Sequence, residues 1–190
     1  MLCALLAGAC GGKKKAAGGA GPKGSGKPDA PVTWAVGPLG GLGLTADLPS
    51  HLGAKPLGDG KTQVDVSDDG VIINVFKRPG RADLALLQTP PAGSAEEKLE
   101  WHEKLPSGAI WLIAHAPPGG GEPFGWTLTA KWSGLIEGDF EIECYALLSS
   151  PAARKKYEAT VKRVCTSLAA LPAGDGGSAS AGGGGDAGAK

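Results

Sequence analysis

The 190-residue sequence has no uninterrupted run of the roughly 18 to 20 apolar residues that a helix needs to cross a bilayer, so any membrane attachment would have to come from an anchor. Its three histidines, His51, His102 and His115, are scattered without zinc-type spacing, and no G-x-S-x-G nucleophile motif accompanies them. Neither a metal nor a cofactor is expected. Basic residues are few where a fold can form: residues 31–172 hold 13 of them against 16 acidic ones. A nucleic-acid binder needs a basic patch on its folded surface, so no nucleic-acid partner is expected. The one dense basic run, Arg154, Lys155, Lys156, Lys162 and Arg163, fits a solvated helix face.

Glycine, by contrast, is abundant and unevenly placed. Of 33 glycines, seven lie in residues 11–30 and eight in 173–190, segments with almost nothing to build a core from. Such composition reads as a spacer and a tail around one domain. The expected organisation is a signal over 1–10, a Gly/Lys-rich linker over 11–30, a globular domain over 31–171 and a Gly/Ser/Ala tail over 172–190. The linker carries five lysines against one aspartate.

Within the domain, Trp34 to Pro49 has too many glycines for a helix and is expected to be an irregular edge strand. Thr62–Ser67 alternates polar and apolar, Asp68, Asp69 and Gly70 read as a turn, and Val71–Lys77 is β-branched and apolar, which together predict a hairpin. Arg81–Gln88 and Ala95–Leu105 are predicted helices, the second with Ser94 and Glu97 placed as a capping box. Ala109–Ala114 is apolar on both faces and predicts an interior strand. Phe124, Trp126, Leu128, Ala130 and Trp132 share one face of a further strand, and Phe140, Ile142 and Cys144 one face of the next. Pro151 opens a helix whose Tyr157, Val161, Val164, Cys165 and Leu168 form an apolar stripe. Adjacent antiparallel strands with helices set between and after them predict an α+β fold: an antiparallel sheet packed with helices, ending in an amphipathic helix.

Two family resemblances follow from these residues. Met1 to Cys10, MLCALLAGAC, is similar to the end of a bacterial lipoprotein signal peptide, with Ala7, Gly8 and Ala9 as the small-residue box before Cys10. The resemblance implies lipidation of Cys10, a membrane partner through that lipid, and residence in the bacterial cell envelope, facing the periplasm or at the cell surface. No basic residue precedes the apolar run, so the expectation includes a signal truncated at Met1. The alternative is an ordinary N-terminus with two incidental cysteines. The domain resembles the PsbP-like superfamily in its glycine-rich first strand ending at Leu48 and Pro49, its meandering strands and its last helix.

Cys144 and Cys165 point into one interior from consecutive elements, and in an oxidising compartment they are expected to form a disulfide; in a cytosolic protein they would be two free thiols. Gly21–Lys27 spells a P-loop, but Pro28 replaces the required hydroxyl residue and no strand leads into it. Gly41, Gly43 and Ala46 fit a dinucleotide fingerprint, yet Pro49 forbids the helix that must follow. Asp65, Ser67, Asp69 and Gly70 occupy calcium-loop positions without the final glutamate, as Phe76 stands there, which favours a plain turn. Trp126 and Trp132 are expected in the core, while Trp34 and Trp101 are candidates for exposure at a partner surface. Asp139, Glu141 and Glu143 form an outward acidic strip that could dock a basic partner. The expected function is a non-enzymatic, membrane-anchored extracytoplasmic binding module for a protein or envelope component. The rival is a small hydrolase using His102 with Glu100 and Glu103 as acid and base groups.

Overall fold

The computed structural model describes residues 32–66 and 70–172. Cys10, the linker, residues 67–69 of the expected turn and the C-terminal tail beyond residue 172 lie outside the described residues.

Among the described residues there are ten strands and two helices: β1 (Trp34–Leu39), β2 (Leu44–Pro49), β3 (Ala54–Gly58), β4 (Lys61–Asp65), β5 (Ile72–Pro79), α1 (Leu84–Leu87), β6 (Glu97–Leu105), β7 (Gly108–His115), β8 (Gly125–Ser133), β9 (Phe140–Leu148), α2 (Pro151–Thr166) and β10 (Ala169–Ala170). Seven of the strands form one sheet in the order β3-β4-β5-β9-β8-β7-β6, and β1-β2-β10 form a second. The α+β class holds, with the sheets dominating.

Period-two alternation decides which face of the large sheet is buried. Register pairs Trp126 with Leu148, Leu128 with Ala146, Ala130 with Cys144 and Trp132 with Ile142, and these side chains are all at most 5% exposed. Ile73 and Val75 of β5, and Ile110 and Leu112 of β7, extend this face on either side. α2 lies across β8 and β9 and also reaches β2. It buries Ala153, Tyr157, Val161, Val164 and Cys165, the stripe set by 3.6-residue periodicity. Its start is fixed locally: Ser150 accepts the Ala153 N–H through its hydroxyl and Pro151 supplies a helical φ. At its end, Ser167 Oγ accepts the Asp47 N–H at 2.8 Å, joining the helix to β2. The disulfide Cys144–Cys165, with Cα atoms 5.6 Å apart, ties β9 to α2 from within the core. The reverse face is covered in part by α1, which lies against β7 and β8.

Four local expectations are corrected. Ala95–Leu105 is a strand, not a helix. Ser94 Oγ does accept the N–H groups of Glu96 and Glu97, as a cap would, but the chain then pairs with β7 for the whole of β6. Leu99, Trp101 and Leu105 gain burial in the sheet, and tertiary pairing overrides the local capping signal. Trp34 to Pro49 is a two-stranded hairpin rather than one edge strand, turned at Gly40–Gly43, where Gly41 and Gly43 take φ of 81° and 71°. The helix expected over Arg81–Gln88 is a single turn, Leu84–Leu87, capped by Asp83. Phe124 stands outside its strand and is 62% exposed. The short strand β3 has no signature in the sequence.

Candidate functional site

β6 is the outer strand of the sheet, and a bulge between Leu99 and Trp101 sets what it presents. A regular strand would send Glu100 and Trp101 to opposite faces. The extra residue lets both reach the α2 side, where Glu100 meets Trp126 and Arg154 and Trp101 meets Glu158. Glu103, two residues beyond Trp101, follows onto that side and pairs with Lys162 at 2.7 Å.

From α2, Arg154, Glu158 and Lys162 project along one flank at four-residue intervals. Strand and helix therefore interlock in two repeats. In the first, the Trp126 indole N–H donates to Glu100 at 3.0 Å and the Arg154 guanidinium lies 4.9 Å over the Trp126 ring while pairing with Glu100 and Glu158. In the second, the Trp101 indole N–H donates to Glu158 at 3.2 Å and Lys162 lies 4.7 Å over the Trp101 ring. Each tryptophan takes a cation on its face and gives its N–H to a carboxylate, the two uses its polarity allows.

Glu100 and Arg154 have clearly displaced titrations. Burial alone would raise the Glu100 carboxyl, but the hydrogen bonds from Trp126 and Arg154, with the charges of Arg154 and Lys98, outweigh it and hold Glu100 below the ordinary glutamate value. Burial would likewise lower Arg154, and its bonds to Glu158 and Glu100 raise it instead. Beside this pair lies an open groove of about 500 Å³, lined by Trp126, Pro151, Arg154, Lys155, Glu158, Ala159 and Lys162. An amphipathic concavity bordered by perturbed ionisable groups is the place on a domain best suited to hold a ligand.

The residues singled out in the sequence are dispersed. Trp101 belongs to this site, half-buried rather than bare. Trp34 is also half-buried, with the Arg163 guanidinium 4.1 Å over its ring, at the other flank of α2. Glu141 and Glu143 lie on the reverse face of the sheet, each side chain only 16% exposed, where Lys131 and Arg78 pair with them. Their charge is thus already answered within the fold. Asp139 is exposed, and its carbonyl accepts the Gly80 N–H. His102 stands opposite Trp111 on the reverse face, while Glu103 stands opposite Ile110 on the α2 face. Sheet alternation therefore keeps His102 apart from Glu100 and Glu103. Arg154, Lys162 and Arg163, expected as a solvated run, are ion-paired to Glu100, Glu103 and Asp47.

No family model matches the chain, and no curated protein matches it. Solved structures that do match include the Saccharomyces cerevisiae Ran-binding protein Mog1p, at 10% identity and a TM-score of 0.48, covering 74% of this chain and 96% of that one. A Mog1 point mutant matches at 9% identity and a TM-score of 0.49, covering 73% and 96%. These findings overturn the expected membership of the PsbP-like superfamily. At TM-scores below 0.5 the likeness carries nothing about what this domain binds.

Proposed function

We propose that the domain is a non-enzymatic binding module that holds a protein partner in the groove beside α2, and that it works outside the cytoplasm, tethered through lipid on Cys10. The groove supports the binding role: a concavity lined by the apolar Trp126, Pro151 and Ala159 together with Arg154, Lys155, Glu158 and Lys162 is a recognition surface. A disulfide between two fully buried cysteines favours an oxidising compartment.

The binding role is tested with a photocrosslinking amino acid at Ala159 in cells of the native host, with the same group at the exposed Lys55 as control. A discrete adduct at Ala159 alone, lost on Lys155→Glu, is the expected outcome. Equal labelling at both positions, or none at Ala159, would count against the module. Hydrolysis of a model ester that disappears in His102→Ala would restore the enzyme in its place. The tether is tested separately: Cys10→Ser should move the protein from the membrane fraction to the soluble one.

A further inference from the structure

The hydrogen-bonding inventory of the groove is lopsided. Glu158 already accepts from Trp101 on one oxygen and from Arg154 on the other. Glu100, behind it, accepts from Trp126 and Arg154 in the same divided way. The donors are not used up. A guanidinium has five N–H groups and an ammonium three, so Arg154 retains its Nη1 pair and Lys162 keeps protons beyond its bond to Glu103. Lys155, exposed on the groove wall, has no ionic partner among the described residues. The walls thus offer unused N–H donors and one unpaired positive charge, Lys155, whereas both oxygens of Glu158, the carboxylate in the lining, are engaged.

The shape adds a second condition. The lining runs from Pro151 to Lys162, which at a helical rise of 1.5 Å per residue is a trough of about 16 Å. That length matches roughly five residues of extended chain at about 3.3 Å each. The apolar lining residues are Trp126, largely covered by Arg154, and the exposed Pro151 and Ala159 of α2.

Resting on the protein-binding role above, we propose that the groove recognises an extended acidic segment of the partner protein. Its carboxylates meet Lys155, Arg154 and Lys162, and one bulky apolar side chain packs between them against Pro151 and Ala159. The spare donors and the unpaired Lys155 disfavour a basic segment, and the open trough suits a peptide chain better than a compact anion.

The test uses the full chain with its disulfide intact and a capped pentapeptide, Glu-Glu-Leu-Glu-Glu, with Phe and Trp versions of the central residue. Binding is read by tryptophan fluorescence for the Leu and Phe peptides and by calorimetry for all three. The expected result is saturable binding, weakened at least tenfold by Lys155→Glu, unchanged by Lys55→Glu, and weakened by salt as exposed charges require. The all-lysine counterpart should not bind. Equal binding of the lysine peptide, or inorganic phosphate or phosphatidylglycerol vesicles competing as well as the acidic peptide, would overturn the proposal. So would absence of binding by all three acidic peptides. In that case a crosslink at Ala159 would leave the binding module standing with its partner chemistry changed, and no crosslink would remove both.

Discussion

At the scale of single residues, Glu100 carries the sharpest consequence. Its folded titration lies below its unfolded value, so its stabilising contribution is present above the unfolded value near 4.5 and is lost as pH falls through the folded one. With its side chain a quarter exposed, the contribution should be under about 1 kcal/mol. Urea midpoints at pH 7 and below pH 4 should therefore fall less steeply in Glu100→Gln than in the parent; parallel curves would show the carboxylate to be idle. Gly108 is a steric constraint of another kind, since a Cβ there would stand 1.9 Å from the Lys131 carbonyl oxygen across the β7–β8 pair. Gly108→Ala should cost at least about 1 to 3 kcal/mol in thermal or denaturant unfolding. Neither role was legible in the sequence. The value of Glu100 depends on partners 26 and 54 residues away, and that of Gly108 on a strand that crosses it closely.

At the scale of elements, legibility followed the source of the signal. β8, β9 and α2 were readable because their burial pattern is periodic along their own residues, from Trp126 to Trp132, Ile142 to Leu148 and Tyr157 to Cys165. β6 was not, because Ser94 and Glu97 do form a local cap-like turn, and what makes the next residues a strand is β7, read from elsewhere in the chain. With β6 taken as a helix, Glu100, Trp101 and Glu103 could not be set against α2, and the candidate site stayed hidden. Two measurements bear on α2. Ser150→Ala removes the acceptor for the Ala153 N–H and should cost about 1 kcal/mol. Reducing Cys144–Cys165, which closes a 21-residue separation, should lower stability by about 3 kcal/mol, seen as a shift of the denaturation midpoint on adding reductant. A reductant-insensitive midpoint would show that the bond is not formed.

At the scale of the molecule, stability should be graded from the middle of the large sheet outward. β5, β9, β8 and β7 each have two sheet neighbours and bear the core, whereas β3 is an outer strand with mostly exposed residues and β10 has only two residues. Amide hydrogen exchange should be slowest in β8 and β9 and fastest in β3 and β10. α2 should exchange with the slow group while Cys144–Cys165 is intact, and join a faster group once it is reduced. Equal rates in the two redox states would mean that the sheet alone holds the helix down.

The bulge in β6 invites a change of chain length rather than of side chain. Removing Glu100 would leave Leu99 paired with Ile113 and Trp101 with Leu112 in an unbroken ladder, so every other residue of the strand could keep its face and neighbour. The domain should tolerate that deletion as it would tolerate few others inside a strand. The shortened protein would fold with Arg154 freed from one of its two carboxylates and with the Trp126 indole N–H released. Naturally occurring versions of this domain could accordingly come in two lengths at this point, the shorter one a scaffold with the same outline and a differently charged mouth.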